Sequence, residues 1–177
     1  DALVQLRVAP AGSRLADVVH MPPRAGGHAE HGRSGRAKLR YVARLEDDGI
    51  VEFTARLIAF EGVPSSLGND QGWGKTGLMI RGTTFDSSAH AHLLDSTSNG
   101  FHYQFRPTNG STTSDSAAGY FNLPVWLKMV KVGNYIIGYI SQDGVNWIRN
   151  YATVITLNDD FYLGLTVTSH VNGQLAK

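Results

Sequence analysis

Cysteine is absent from the chain, so neither a disulfide nor thiolate chemistry is available to it. That absence identifies no compartment. No apolar run approaches the roughly 20 residues that span a bilayer as a helix. No segment carries the 3.6-residue periodicity of a long amphipathic helix. An excess of one charge is missing too: 16 Lys and Arg stand against 15 Asp and Glu, a net charge of +1. Such a balance does not call for nucleic acid or an acidic membrane as partner. There is no Gly-x-Ser-x-Gly elbow, no Gly-rich phosphate loop and no His-Glu-x-x-His helix. No signal peptide is visible. These absences remove most familiar catalytic chemistries and leave binding and structural roles in front.

What is present is turn chemistry. The 177 residues include 20 glycines and many Ser, Thr and Asn, a bias that favours many short strands. Between Phe121 and Trp147 two apolar runs flank Gly133-Asn134, and Gln142-Asp143-Gly144 feeds a third. Asn, Asp and Gly tolerate the left-handed backbone of tight hairpin turns, so this stretch predicts a β-meander. Ile50 to Phe60 alternates, with Val51, Phe53, Ala55 and Leu57 on one face and Glu52, Thr54 and Arg56 on the other. Phe101, Tyr103 and Phe105 alternate likewise with His102, Gln104 and Arg106. Further strands are expected over Asp1 to Pro10, Leu39 to Leu45, Gly77 to Gly82, Ala89 to Asp95, Tyr151 to Leu157 and Phe161 to His170. Residues 11–38 read as an irregular basic loop or arm, and Thr108 to Gly119 as a loop without core-forming residues. The expected architecture is all-β: one domain over residues 1–177, an antiparallel two-sheet β-sandwich or jelly roll.

Four motifs carry a resemblance. Gly77-Leu-Met-Ile-Arg81, Leu123-Pro-Val-Trp-Leu-Lys128, Gly138-Tyr-Ile-Ser-Gln-Asp-Gly-Val-Asn-Trp147 and Gly164-Leu-Thr-Val-Thr-Ser-His170 together resemble the DUF1349 family. The resembling region covers residues 39–170. The resemblance implies a concanavalin A-like lectin/glucanase jelly roll and, by association, a carbohydrate-binding role in a secreted or cell-surface protein. The family's aromatic-rich first segment has no counterpart in residues 11–38, and its last strand is missing after His170. Asp1 to Pro10 is a candidate to fill that place, from this chain or from a neighbouring copy.

For sugar binding the needed parts are aromatic platforms and a few fixed polar partners. Trp73 and Tyr120 stand out because they lie in or beside Gly/Ser-rich loops, whereas Trp126 and Trp147 of the meander read as scaffold. Arg81, His92, His102, Arg106 and His170 are polar residues within or ending strands, with Gln104 and His90 sharing parity with two of them. On one sheet they would line a concave groove whose arginines engage carboxylate or sulfate groups. The competing role is structural: the same side chains would brace the sandwich through bonds to loop carbonyls.

Other chemistries have weaker footings. Glu46, Asp48 and Glu52 share a period-2 parity but not the spacing of a retaining hydrolase, whose carboxyls stand about 5 Å apart. Asp47-Asp48-Gly49 reads instead as a hairpin turn. His28 and His31 around Glu30 offer too few ligands for a metal shell. Ser141 to Trp147 resembles a single Asp-box, without the repeats a propeller needs. A structural calcium ion is an open possibility, with Asp86, Asp95, Asp115, Asp159 and Asp160 as available carboxylates. Asn109-Gly-Ser111 is a glycosylation triplet. Three functions are therefore in view: a glycan-binding module, a structural or adhesive sandwich that docks a neighbouring domain or subunit, and a weak hydrolase or lyase.

Overall fold

The computed structural model describes residues 4–10, 38–39, 43–46, 49–63, 71–158, 160–174 and 176, those before residue 50 through their backbone alone. Among these residues there are strands and turns but no helix, and hence none long and apolar enough to cross a membrane.

The meander forms as its turns require. β9 (Val125–Val132) turns through Gly133, whose φ is +52°, into β10 (Tyr135–Ser141). β10 then leads through Gly144, φ +76°, into β11 (Ile148–Val154). The second turn is organised by the Asp143 carboxylate. Its Oδ1 accepts from the Ser141 hydroxyl and the Val145 and Asn146 backbone N–H groups, and its Oδ2 accepts from the Asn146 side-chain amide. These bonds hold the Asp143 pKa far below the usual carboxylate range.

The meander is three-fifths of a five-stranded antiparallel sheet. The order is β1-β4-β9-β10-β11, with β1 at Val4–Pro10 and β4 at Gly49–Leu57. The amino-terminal strand thus takes a sheet edge, paired along its length with β4. The second sheet joins β12 (Asp160–Thr168), β5 (Lys75–Arg81), β6 (His90–Ser96), β7 (Gly100–Arg106) and β8 (Ser114–Gly119) in that order. Two short strands, β2 (Lys38–Leu39) and β3 (Ala43–Glu46), pair with opposite ends of β12 and complete seven strands. The expected all-β antiparallel sandwich is the observed fold.

Alternation sends one face of each sheet inward. Val51 and Phe53 of β4 and Leu127 and Met129 of β9 meet Leu78, Ile80, Leu93 and Phe161 of the other sheet, all at most 2% exposed. Tyr103 pins the layers together: its hydroxyl donates to the Ile136 carbonyl at 2.8 Å. A side chain at Gly138 would fall 2.8 Å from the Tyr103 ring, so this close crossing needs glycine. Burial raises the Tyr103 phenol pKa well beyond its usual value.

Two expectations need correction. The stretch Thr108 to Gly119 ends in a strand, β8, which its sequence hides because an edge strand is recruited by the backbone of β7 and needs few apolar side chains. The chain between Glu46 and Gly49 does not close a hairpin, because β3 belongs to the seven-stranded sheet and β4 to the five-stranded one. The turn residues Asp47 and Asp48 lie outside the described residues, as do Asp159 and most of the basic arm with His28, Glu30 and His31.

Candidate functional site

The outward face of the seven-stranded sheet gathers the polar strand residues singled out above. Register sets them in rows: Tyr162, Arg81, His90 and Arg106; then Met79, His92, Gln104 and Asp115; then Thr166, Gly77, Leu94 and His102. The idea that Arg81, His92, His102 and Arg106 belong to one face is therefore right.

The idea that they form an open donor-lined groove is not. His92 is 4% exposed, His102 7% and Leu94 0%. His92 Nε2 lies 2.7 Å from the Thr166 hydroxyl, which itself donates to the Gly77 carbonyl at 3.2 Å, so Nε2 carries the proton and donates. Burial, joined by the positive fields of His90, Lys75 and Arg81, holds the His92 pKa well below its ordinary value. A neutral, enclosed and hydrogen-bonded imidazole supports the sheet and is not presented to a ligand.

Arg81 and Arg106 act first as braces. Arg81 Nε donates to the Thr83 carbonyl at 2.6 Å and an Nη to the Phe85 carbonyl, while Arg106 Nη1 donates to the Asp86 carbonyl at 2.6 Å. His90 Nδ1 donates to the Ser88 carbonyl at 3.0 Å. The loop from Gly82 to Ala89 thus turns its carbonyls onto the first row, and Asn109 Oδ1 secures its end by accepting from Ala89 N–H at 2.7 Å.

At the opposite end of the face, around the β6–β7 turn, side chains remain accessible. Segment Gly72 to Gly74 runs beside the turn, with Thr97 N–H bonded to the Gly74 carbonyl and Asn99 Nδ2 to the Gly72 carbonyl at 2.8 Å. This sets the half-exposed Trp73 ring 5.0 Å from the His102 ring, with Lys75 Nζ 5.5 Å from the indole. His102 Nδ1 is 2.8 Å from Asp115 Oδ2 and its Nε2 3.0 Å from the Asn99 carbonyl, so the buried ring anchors an exposed carboxylate. Tyr120, 78% exposed, lies against Gly100, where an added Cβ would come within 3.0 Å of its ring. Gly100 has φ +78°, so the turn and the tyrosine both require glycine there. Trp73, His102 and Tyr120 therefore converge on one turn, although His102 contributes from beneath. His170 does not join the face: it is exposed in the turn after β12, with φ +58°.

Lys75 and Asn99 do not stand out in the sequence as parts of a binding site, and Asp115 stands out there only as an available calcium carboxylate. Asp115 meets His102 from the next strand, a pairing that needs the β7–β8 register.

The outward face of the five-stranded sheet is different. Arg56 sits 5.7 Å from the Trp126 ring, and Lys128 Nζ 4.1 Å from Trp147 and 5.3 Å from Tyr139, with Glu52 Oε2 4.0 Å away. Both tryptophans lie outside the core but under cations. One row farther along, Ile50, Val132, Tyr135 and Val154 stand in register and are 39–57% exposed. Glu46 and Glu52, the outer members of the carboxylate series, stand in different sheets. Between edge strands β8 and β11 lies a shallow groove of about 150 Å³ lined by Ala117, Ala118, Phe121, Ile140 and Ile148 with Arg149 and Asn150.

Among the described residues no three His, Asp or Glu side chains come together as metal ligands. Of the carboxylates named for calcium, Asp95 is enclosed and Asp115 is bonded to His102.

No family model matches the chain. No curated protein matches it either. Among solved structures it is similar to a functionally unknown protein from Saccharomyces cerevisiae, at 12% identity over 77% of this chain and 88% of that one, with a TM-score of 0.38. Similarity at that level carries no functional argument.

Proposed function

We propose that this domain is a non-catalytic carbohydrate-binding module of a secreted or cell-surface protein. Its glycan is taken at the β6–β7 turn. The observation that supports this is the pairing of the exposed Tyr120 ring and the half-exposed Trp73 ring with Asp115, Lys75 and Asn99 around one turn. Pyranose rings stack an apolar face on an aromatic ring, and their hydroxyls bond to fixed carboxylates, amides and ammonium groups. The bonds within the turn hold these groups in place before a ligand arrives, which lowers the entropy cost of binding.

The test is a glycan array followed by titration calorimetry on the wild-type protein, Tyr120→Ala and Trp73→Ala, with and without EDTA. Tyr120→Ala is expected to weaken binding by about tenfold or more while leaving the melting temperature unchanged, because its ring is 78% exposed. Equal affinity in both variants, or no binding to any glycan by the wild type, would remove this function. Loss of binding in EDTA would instead bring calcium into the site.

One observation favours a second reading, assembly with a neighbouring domain or subunit: the exposed row Ile50, Val132, Tyr135 and Val154 on the other sheet. A hydrolase or lyase gains nothing from the separation of Glu46 and Glu52.

A further inference from the structure

We infer that the first row of the seven-stranded sheet, Arg81–His90–Arg106, is a contact strip for carboxylate or sulfate groups, which makes the ligand of this domain an acidic glycan. The inference rests on the carbohydrate reading above and names its substrate class.

Arg81, His90 and Arg106 stand directly opposite one another on three adjacent strands, and the row runs on through Tyr162 to the register position of Arg44 on β3. At roughly 4.8 Å per strand the two described arginines are anchored about 10 Å apart. Like charges set so near across a sheet cost stability unless something offsets them. The loop carbonyls of Thr83, Phe85 and Asp86 orient the guanidiniums but, being neutral, leave their charge in place. The carboxylate that acts on Arg81 is Asp86. His90 cannot supply an anion, and its pKa is lowered by burial and by the fields of Arg106 and Arg81, which registers the positive potential of the row.

Access differs most at the centre of the face. Tyr162, Arg81, His90 and Arg106 are each partly exposed, whereas Met79 and His92 beside Arg81 and His90 in the next row are buried. Only the outer members of that next row, Gln104 and Asp115, reach solvent. Arg106 Nε is enclosed and makes no hydrogen bond, so only the terminal nitrogens of that guanidinium can face a ligand. Phe85, 73% exposed, stands in the loop that the two arginines hold. Oriented guanidiniums beside a free aromatic ring match a sugar that carries an acidic substituent.

The experiment compares binding of polygalacturonate fragments, dextran sulfate, neutral xylan fragments and a single-stranded oligonucleotide by calorimetry. The proteins are the wild type, Tyr120→Ala, His90→Glu and Phe85→Asp. The wild type is expected to prefer one of the acidic glycans over xylan by about tenfold or more; which one is preferred separates carboxylate from sulfate. His90→Glu places a carboxylate between the guanidiniums, at the loss of the bond to the Ser88 carbonyl, and is expected to abolish the preference. Phe85→Asp changes an exposed loop position and is expected to reduce the preference severalfold, which keeps the test valid if His90→Glu misfolds. Acidic and neutral glycans bound alike, or a preference that survives both variants, would overturn the strip while leaving glycan binding intact. An oligonucleotide bound as tightly as the acidic glycan would also overturn it. If no glycan binds, the carbohydrate reading falls and the strip falls with it.

Discussion

The two outward faces of this sandwich carry similar residue types and use them in opposite ways. On the five-stranded sheet, cations lie over aromatic rings near solvent: Lys128 over Trp147 and Tyr139, Arg56 over Trp126. An exposed apolar row lies beside them. On the seven-stranded sheet the middle of the outward face is closed. His92 is neutral and bonded to Thr166, Leu94 is fully buried, and among the described residues the accessible polar groups gather at the arginine row, at Gln104 and at the Trp73–Tyr120 turn. A polar residue that points away from a sandwich interior is therefore no guide to solvent or to ligand. What decides is whether its hydrogen bonds are already closed within the protein.

That contrast can be broken most strongly at Gly77. A side chain there would collide with the Leu93 carbonyl and the Leu94 backbone of the neighbouring strand. Gly77→Ala is expected to cost about 3 kcal/mol or more in urea unfolding; a cost under 1 kcal/mol would mean that the seven-stranded face is looser than described.

Next comes the polar link beneath that face. Thr166→Val leaves the His92 N–H without its acceptor and is expected to cost about 1–3 kcal/mol. The same histidine gives the face an acid sensitivity. Its pKa is depressed in the folded state, so its contribution is complete above the unfolded value near 6.5 and is lost as pH falls below it. His92→Gln should flatten the fall in melting temperature between about pH 7 and pH 5. Asp95 works in the other direction, because burial raises its pKa to about 6. Its enclosed carboxyl costs stability as pH rises from about 4 through 6, so Asp95→Asn should be stabilised at neutral pH and not at about pH 4.

On the five-stranded face the effects should be smaller. Lys128→Met removes a cation from two rings and is expected to cost about 1 kcal/mol. Tyr135→Lys, at a 57% exposed position, should change stability by less than about 0.5 kcal/mol. Its informative readout is sedimentation: self-association by the wild type that Tyr135→Lys abolishes would favour the assembly reading, and monomers in both would count against it.

Much of the fold was legible in the chain. Alternation in Ile50 to Phe60 and Phe101 to Arg106 assigned their inward faces, and Gly133-Asn134 and Asp143-Gly144 marked the meander turns. β8 was missed because pairing to an edge uses backbone groups common to every residue. Of the site residues, Trp73 and Tyr120 keep the accessible positions expected of loop aromatics. Arg106 and His92 have partners from loops and strands distant in sequence, Asp86 and Thr166, whereas Arg81 bonds carbonyls two and four residues along the chain. No local pattern encodes such pairings.

By itself the sequence determined the class of structure, because strand periodicity and turn tolerance are local properties of a few consecutive residues. It also determined which side chains share a strand face. The tertiary structure alone decided which of those faces is closed. Lys131 shows the limit, standing at an inward position with 1% exposure and bonding its Nζ to the Gly133 carbonyl at 2.8 Å, while Ile50 on the neighbouring strand is 40% exposed. Hydropathy ranks these two residues the other way round. Burial is set by what the other sheet and the loops bring against a position, and that arrangement exists only once the whole chain has folded.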